Sequence, residues 1–562
     1  MMNMKKLNKI IAAFALFAFV SCDNFLNVPP DNRLALDSRE KIHRLLVTAY
    51  PDVSFAWIAE FASDNTDRID EGIFPRLSPL EEEAFFWRNV TSINQDTPHF
   101  IWNGLYAAIA ASNHALAAIE DLRSRDYPRC LNHQEGEALI TRAYSHFLLV
   151  NLFSQHFSAI HSNTDLGIPF IDAPETTVNP HRDRRTVAYV YERIKQDILA
   201  GIDLIDDTQI TVAQYRFTRN AAAAFAARFF LFKADWENAE YFANRVLGNN
   251  PATLLRNWSA VGDIENIRDA GVVYVRNEPA NLLLRVGASW WWRVHAPITM
   301  GGNEFAFGSF INNREVFRAP GPWGPFAQGG VVMWRNPAHA YTNVNVNFMS
   351  KFDEFFEFSD AIAGIGVGRL IHADFTTDET LLVRAEARIM QGRFADAADD
   401  INIFLNAFRH SHTPLTYMQI ANSYANMSYY TYAVPTPKKH LNPDFDLEPG
   451  VQTNMIHGLL HLRRMLTLHE GLRWFDVKRY GIEIYRRRVI AERTVEVMDR
   501  LPVRDPRRAF QIPDAVIGAG LQGNPRAEIG RFEPLSVLPV RILPADDSNI
   551  TDNDNNISYT IR

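Results

Sequence analysis

The sequence predicts a mainly α-helical protein in which helix hairpins support an irregular, loop-rich half. Three observations predict this class. Apolar residues recur every three or four positions over long segments, two distant segments share a helix–turn–helix pattern, and the stretch between them is rich in tryptophan and glycine without a sustained period. The chain has 562 residues and a hydrophobic fraction of 47%, which is sufficient for a sizeable core.

Composition excludes some classes of partner and site. The net charge of −8 leaves no strong basic field, so nucleic acid is not expected as a partner. The two cysteines, Cys22 and Cys130, are too few for a disulfide framework or a cysteine-built zinc site. We expect Cys130 to be a lone, buried thiol.

Residues 1–21 have the pattern of a signal peptide. Three lysines precede an apolar run, Ile10 to Val20, that is too short to span a bilayer. The run ends at Cys22 in "FVSC", which is typical of a bacterial lipoprotein cleavage site, although Phe19 stands where Leu is usual. We expect Cys22 to become the first residue and to carry lipid chains, with residues 22–34 as a polar tether. The alternative is a soluble secreted protein with an incidental cysteine.

Three segments after the tether have one apolar stripe at helical spacing. Residues 101–119 and 139–150 are predicted to form two such helices. The clearest stripe lies in "RTVAYVYERIKQDILAGIDLI", where charged residues occupy the opposite face. Its apolar members are Val187, Val190, Ile194, Ile198, Ile202 and Ile205.

Two further segments resemble each other and the tetratricopeptide helix hairpin. They are "AAAAFAARFFLFKADWENAEYFANRVLGNNP" and "ETLLVRAEARIMQGRFADAADDINIFLNAF". Ala239 in the first matches Ala397 in the second, and small residues there let two helices approach closely. Thr376 and Glu379 form a capping-box pattern at the start of the second segment. Because such a unit buries its face only by stacking, the fold must bring the two hairpins together.

A different texture separates the hairpins. From Trp290 to Trp334, 45 residues contain five of the eleven tryptophans and seven of the 28 glycines. We predict long loops with a short strand or two. This aromatic content argues against disorder, and loops of this length in a compact domain are usually functional.

The order and spacing of many motifs resemble the SusD/RagB-like outer-membrane lipoproteins of the Bacteroidetes. The resemblance begins with "CDNFLNVPP" and "SDN", continues through "IWNGLYAAIAASNHAL" and "GEALITRAYSHFLLVNLF", and includes both hairpins. Leu462 and Leu466 occupy positions where the family usually carries acids, so one local ion-pair network is in question. The most specific motifs are "IPDAVIGAGLQGNPR" and "HEGLRWFDVKRYG", which contains Glu470, Gly471, Arg473, Asp476, Arg479 and Gly481.

The resemblance implies a fold and a domain organisation. The fold would be a SusD-like α-α superhelix of four tetratricopeptide-like hairpins under an irregular, loop-rich ligand-binding half. Residues 35–250 would form the N-terminal helical region. Residues 251–562 would form the C-terminal SusD/RagB region, with aromatic loops at 280–345 and a helix hairpin at 377–409.

The resemblance also implies a function. Such proteins lie at the cell surface as lids over a SusC-like TonB-dependent transporter, where they capture oligosaccharides or, in the RagB branch, peptides. They are not enzymes and need no cofactor. We expect this chain to be a lipid-anchored outer-membrane protein that passes oligosaccharides to such a transporter. The alternatives are a RagB-like peptide binder, a surface glycoside hydrolase and a structural partner that only seals the transporter.

The tryptophans of the aromatic loops are the main candidates for ligand binding. A flat aromatic ring can cover the apolar C–H face of a sugar while polar neighbours bond its hydroxyl groups. The alternative is that consecutive tryptophans alternate into a core. The candidate rings are Trp290, Trp291, Trp292, Trp323 and Trp334, and the candidate polar neighbours are Arg293, Asn303, Asn312 and Asn313.

Three further candidates lie in the N-terminal region. In the family, the stretch before the "W…Y…N" helix contributes an aromatic residue to the site, and Trp87 and His99 are the matching residues here. Trp102 opens an amphipathic helix and is expected in the core. Asp64, in "SDN", is expected either to cap a turn or to bond a ligand hydroxyl group.

Patterns for enzymes and metals are weak. His457 and His461 lie four residues apart on a predicted helix, but no third ligand is apparent, so we expect structural histidines and no metal. "GIGVGRL" has alternating glycines without the strand-then-helix setting of a nucleotide loop. No arrangement of a catalytic nucleophile and its base stands out.

Overall fold

The predicted mainly α-helical class is confirmed. The computed structural model describes residues 35–69, 79–175, 183–276, 279–295, 304–323, 339–341, 346–490, 494–526 and 540–541, and these residues contain 18 α-helices and are about 51% helical. The predicted signal peptide, the tether, Cys22, Asn303 and Trp334 lie outside them. The helices are α1 (Arg39–Leu45), α2 (Ala56–Ala62), α3 (Pro79–Phe85), α4 (Pro98–Ser124), α5 (Asn132–Phe153), α6 (Val187–Gly201), α7 (Arg219–Phe232), α8 (Trp236–Leu247), α9 (Trp258–Gly262), α10 (Ile267–Arg276), α11 (Trp291–His295), α12 (Ser309–Glu315), α13 (Thr377–Met390), α14 (Phe394–Phe408), α15 (Tyr417–Asn426), α16 (Val451–Leu466), α17 (Leu472–Arg479) and α18 (Asp514–Gly518).

The sheets are more extensive than the sequence predicts. The described strands form a five-stranded sheet in the order β10-β9-β8-β1-β3, a three-stranded sheet in the order β2-β7-β6, and a β4-β5 pair. β1 pairs with β8 in parallel, and the other strand pairs are antiparallel. The strands are β1 (Asp67–Ile69), β2 (Asn281–Ala288), β3 (Phe305–Ala306), β4 (His339–Tyr341), β5 (Val346–Phe348), β6 (Asp353–Asp360), β7 (Ile365–Thr376), β8 (Ile484–Ile490), β9 (Thr494–Leu501) and β10 (Val540–Arg541).

The two predicted helix hairpins exist and pack against each other. The first consists of α7 and α8 and the second of α13 and α14, and Ala239 and Ala397 are both buried as expected. Arg388 on α13 donates to Glu240 on α8 at 3.0 Å. These contacts bring together segments that are distant in the chain, as the stacking argument requires.

The capping box at the start of α13 is only half formed. Thr376 caps the helix, since its hydroxyl oxygen accepts from the backbone N–H of Glu379 at 3.2 Å. The Glu379 carboxylate instead accepts from Nε of Arg228 on α7 at 2.9 Å. The tertiary ion pair therefore replaces the second bond of the box, and it links the two hairpins.

The predicted apolar stripe that begins on α6 is confirmed, because all six of its members are buried, the last two just beyond the end of the helix. The stripe predicted for α5 understates how much of that helix is buried. Leu139, which begins the stripe, is only partly buried, whereas side chains on all other sides of α5 are buried, including Glu137 and Arg142. Arg142 is compensated by Asp197 on α6, with N–O distances of 2.7 and 2.8 Å. α5 is thus a central helix rather than a surface helix.

The "HEGLRWFDVKRYG" motif holds the helical core together. Gly471 has φ of +75° and lies against α2, where a Cβ atom would be 3.0 Å from Cα of Ala56. Asp476 accepts from Arg463 and Arg479 at 3.1 Å each, and Arg479 also pairs with Glu386. An ion-pair network therefore exists here on arginine, aspartate and glutamate.

Leu462 and Leu466, which stand where the family usually has acids, are buried in the apolar core.

Cys130 is exposed, which corrects the expectation of a buried thiol. Within the described residues, no helix is both long enough and apolar enough to cross a bilayer.

Candidate functional site

Trp290 lies where the chain leaves the three-stranded sheet. The backbone N–H of Ser289 donates to the carbonyl of Gly368 on β7 at 3.0 Å, which is the last such contact before the chain turns away. The hydroxyl oxygen of Ser289 then accepts from the N–H of Trp291 at 3.1 Å and starts the short helix α11. Trp290 lies between strand and helix, and its side chain remains partly exposed.

Trp290 is part of an aromatic surface that we define as Trp290, Phe356 and Phe358. The ring centroids of Trp290 and Phe356 are 6.2 Å apart, and those of Phe356 and Phe358 are 4.8 Å apart. Phe358 is 58% exposed. The Arg293 guanidinium lies 5.4 Å from the Trp290 ring centroid and donates to Glu354 at 2.8 Å. Aromatic rings and a bonded charged pair therefore share one face of the sheet.

The alternating glycines of "GIGVGRL" make room for these rings. Phe356 lies opposite Gly368 in the β6–β7 register, and Phe358 lies opposite Gly366. A Cβ atom on Gly368 would be 3.4 Å from the Trp290 ring, and one on Gly366 would clash with the Phe356 ring at 2.6 Å. The motif is thus a strand on which large rings cover glycines, and it is not a nucleotide loop.

Asp96 fixes the backbone of Trp290. Its Oδ2 atom accepts from the Trp290 N–H at 2.8 Å, and the neighbouring Gln95 side chain donates to the carbonyl of Gly368 at 3.3 Å. Burial raises the pKa of Asp96 to about 7, and hydrogen bonds from Ser289 and Trp290 offset this effect only in part. The segment before α4 is thereby attached to the sheet beneath the aromatic surface.

The structure places the other described candidate tryptophans of the aromatic loops in the core. Trp291 donates from Nε1 to the carbonyl of His469 at 3.2 Å and stacks on Trp57. Trp292 is 1% exposed, and Trp323 packs beside His461. Their rings offer no open face, because partners from distant parts of the chain cover them. Burial therefore favours the core alternative for these three tryptophans.

The candidate polar neighbours also differ in their exposure. Arg293 lies at the aromatic surface, as described above. Asn312 is buried and donates to the side chain of Asn347 at 2.9 Å, so its amide is used within the fold. Asn313, the next residue on α12, is partly exposed.

Trp87 is likewise a core residue in this structure. Its Nε1 atom donates to the carbonyl of Ala62 at 2.8 Å, and the Arg486 guanidinium lies 4.0 Å from its ring centroid. Its φ of +53° turns the chain so that the ring points inward. Trp102 is buried, as expected.

Asp64 is the centre of a buried ion-pair cluster. Its two carboxylate oxygens accept from Nε and Nη2 of Arg473 at 2.7 and 2.9 Å, and Arg464 and Lys439 lie 3.5 and 3.7 Å away. Burial alone would raise the pKa of Asp64, but these guanidinium groups hold it well below its usual range. The turn bond of "SDN" belongs to Ser63, whose hydroxyl oxygen accepts from the N–H of Asn65 at 3.1 Å. Asp64 therefore neither caps this turn nor faces solvent, and its role is structural.

His99 lines an open groove of about 590 Å³ between α4 and the segment around α18. Trp102, Tyr106 and Leu521 form its apolar floor, and His99 lies 3.0 Å from the side-chain nitrogen of Asn103 at the rim. The groove does not include the aromatic surface. Among the candidate aromatic and histidine residues that the structure describes, Trp290 and His99 are partly exposed, and they lie at different places.

One group of histidine and glutamate side chains has the spacing of a metal site. His43, His133 and Glu137 have ligand atoms within 4.8 Å of one another. However, Glu137 already accepts from Arg216 at 2.5 and 2.6 Å and from the hydroxyl group of Tyr50 at 2.6 Å. The Arg216 guanidinium thus occupies the position that a metal ion would need, and the cluster does not fit a metal.

His457 and His461 do not form a metal pair either. His461 bonds the Tyr424 hydroxyl group and the carbonyl of Val316, both at 2.7 Å. Both ring nitrogens of His461 are therefore used within the fold.

Phe356 and Phe358 are members of the aromatic surface that the sequence argument misses. Phe356 and Phe358 are two residues apart in "DEFFEFSD", and this spacing, followed by alternating glycines, is the signal that predicts them. Such a pattern indicates an edge hairpin on which aromatic residues cross over glycines.

Comparison with known proteins agrees with this architecture. Residues 24–231 match the family SusD-like_3, described as "Starch-binding associating with outer membrane". A SusD superfamily protein from Bacteroides thetaiotaomicron is 16% identical with a TM-score of 0.55, over 88% of this chain and 100% of that one. A SusD superfamily protein from Bacteroides fragilis is 15% identical with a TM-score of 0.58, over 86% and 98%. A SusD-like carbohydrate binding protein from Bacteroides vulgatus is 13% identical with a TM-score of 0.55, over 86% and 96%.

No curated protein is similar enough in sequence to count as a relative of this chain. The structural likenesses establish the fold, a helical scaffold similar to that of these SusD superfamily proteins. The sequence match to the SusD-like_3 family covers residues 24–231, in the N-terminal region of the chain.

Proposed function

We propose that this protein binds oligosaccharides at the aromatic surface and passes them to a SusC-like TonB-dependent transporter. The observation that carries the proposal is the position of Trp290. Its ring is partly exposed, its backbone is fixed by Asp96, and Phe356 and Phe358 extend the surface beside it. Stacking of sugar rings on such a surface needs little ordering on binding, because the rings are already held in place.

Localisation belongs to the same proposal. Lipid chains on Cys22 would hold the protein at the outer membrane, and residues 22–34 would join this anchor to the helical body. The family description, which names starch binding and association with the outer membrane, supports both the binding of sugar and the location at the outer membrane. Metabolic labelling with a fatty acid tests the anchor, since Cys22→Ala should abolish incorporation of the label and release the protein from membranes.

Peptide binding of the RagB kind is the second candidate function. The groove beside His99 favours it, because an open groove of about 590 Å³ with an apolar floor suits an extended chain better than a stacked sugar. The groove and the aromatic surface are different places, so the two functions make different predictions about which residues matter.

Calorimetric titration of the purified full chain against a panel of oligosaccharides and a panel of peptides tests the proposal. Binding of at least one oligosaccharide, with the ligand recovered uncleaved, is the expected result. Binding of peptides alone would contradict the proposal and favour the groove. Cleavage of a bound oligosaccharide would contradict the expectation of a non-enzymatic binding protein.

A further inference from the structure

A second cavity lies on the other face of the three-stranded sheet. It has a volume of about 650 Å³, within the range of small-molecule sites, and it lies between β2, the edge strand β6, α4 and the short 3₁₀ helix Ala213–Tyr215. Successive side chains of a strand point to opposite faces. Phe356 and Phe358 therefore face Trp290, whereas Phe355 and Glu357 face this cavity.

The cavity has partly exposed aromatic rings beside an apolar floor. Tyr215 is 36% exposed and Phe355 is 41% exposed, although both are large rings in the lining. Leu284 and Val286 of β2 form part of the floor, and α4 contributes residues without bulky side chains. Exposed rings at the mouth of a concave site are typical of ligand sites rather than of packing.

An ion-pair clamp supplies the polar side of the cavity. Arg369 donates from Nε to Glu357 at 2.7 Å and also pairs with Asp52. The Asp52 and Glu357 side chains are 60% and 56% exposed, so their carboxylates also face solvent. Arg216 and Arg285 also line the cavity, but each pairs with a carboxylate within the fold, Glu137 and Asp374 respectively. The two carboxylates of the clamp outnumber its one guanidinium and disfavour an anionic ligand. They suit a neutral ring whose hydroxyl groups donate to carboxylates and accept from the guanidinium.

We infer that this cavity is a second saccharide-binding site, separated from the aromatic surface by the sheet and joined to it through the edge strand β6. The inference rests on the proposed function for the class of ligand, but on different residues for the place. Because Phe355 and Phe356 are neighbours on opposite faces of β6, one strand presents aromatic rings to both sites. The two sites bind neutral sugar units independently.

Hydrogen–deuterium exchange on the full chain with a saturating neutral oligosaccharide tests the inference. We compare the wild-type protein, Trp290→Ala, the double variant Tyr215→Ala/Phe355→Ala, and the control Tyr241→Ala, which removes an exposed ring on α8. In Trp290→Ala, the sugar should still slow exchange in residues 46–52 and 211–217. In the double variant, about tenfold more sugar should be needed for the same protection of residues 46–52 and 211–217, whereas protection around residues 289–294 should be unchanged.

The outcomes separate this inference from the proposed function. Protection only around residues 289–294 in the wild-type protein overturns the second site and leaves the proposed function intact. Protection only in residues 46–52 and 211–217 supports the second site and contradicts binding at Trp290. Protection of neither region by any sugar overturns both. Thermal melts establish that each variant is folded, which is expected because Tyr215 and Phe355 are partly exposed.

Discussion

The Oδ2 atom of Asp96 accepts a hydrogen bond from the backbone N–H of Trp290 at 2.8 Å, and this bond joins residues that are 194 positions apart. It fixes the ring that carries the proposed function to the segment that opens α4. Both the binding of ligand and its dependence on pH should therefore respond to changes at Asp96.

Replacement of Asp96 should change how stability depends on pH. Burial raises the pKa of Asp96 in the folded protein to about 7, above its value in the unfolded chain. At a pH between these two pKa values, folding is accompanied by uptake of a proton at Asp96. The contribution of Asp96 to the free energy of unfolding is therefore fully present at low pH and is lost as the pH rises through about 7. The loss amounts to at most roughly 4 kcal/mol.

Asp96→Asn keeps an acceptor for the Trp290 N–H and removes the titration. We expect thermal melts to show a higher Tm than the wild-type protein at about pH 8 and a similar Tm at about pH 4. A parallel pH dependence in the two proteins would contradict this assignment of the pKa.

Replacement of Asp64 should destabilise the protein through its interior rather than through the ligand. Asp64→Asn would leave Arg473 buried without its carboxylate partner. Breaking a buried pair in this way typically costs about 3–5 kcal/mol. Denaturant unfolding measures the loss, and Asp52→Asn, at an exposed ion pair, is a control that should change stability by less than about 1 kcal/mol. Wild-type stability in Asp64→Asn would contradict the structural role.

Gly471→Ala should be costly for two reasons that a control separates. Gly471 and Gly392 both have φ of +75°, but only Gly471 lies against another helix, whereas a Cβ atom on Gly392 meets nothing within 4 Å. Backbone strain applies to both substitutions, and the close approach to Ala56 applies to Gly471 alone. The free energy of unfolding should therefore be lower in Gly471→Ala than in Gly392→Ala, by about 1 kcal/mol or more. Equal losses would show that the contact with α2 adds nothing.

Gly368→Ala should weaken ligand binding more than it weakens the fold. A Cβ atom there would be 3.1 Å from the carbonyl oxygen of Ser289 and 3.4 Å from the Trp290 ring, so the ring must shift. The matched control is Gly518→Ala, because Gly518 has open space around its added Cβ atom. Calorimetry should show reduced oligosaccharide affinity for Gly368→Ala and wild-type affinity for Gly518→Ala. Unchanged affinity in both would mean that the ring position on Gly368 does not matter.

The sequence predicts the helical part of the fold well because its signals are local. The stripe of α6 and the two hairpins depend on spacing within about thirty residues. The strand β8 is not predicted from the sequence. In a strand, one of two consecutive residues is expected to be apolar and buried and the other exposed, but Arg486 and Arg487 are consecutive charged residues. Both arginines are buried, since Arg486 donates to carbonyls at the end of α2 and Arg487 pairs with Asp67 and Glu315.

The candidate site is predictable only in part, for a related reason. Trp290, Trp291 and Trp292 are the same residue type in consecutive positions, and their burial is decided by partners that sequence spacing does not reveal. Trp57 covers Trp291, and Gly368 and Asp96 hold Trp290 at the surface. Composition indicates that the region contains candidate rings, and only tertiary contacts distinguish the exposed one.

The affinity of Trp290→Ala for an oligosaccharide that binds the wild-type protein tests the central claim most directly. Isothermal titration of the wild-type protein, Trp290→Ala, Trp290→Phe and the exposed-ring control Tyr241→Ala gives the comparison. We predict a loss of roughly tenfold to a hundredfold for Trp290→Ala, partial retention for Trp290→Phe and no change for Tyr241→Ala. Wild-type affinity in a folded Trp290→Ala protein would contradict the claim that the aromatic surface binds the ligand.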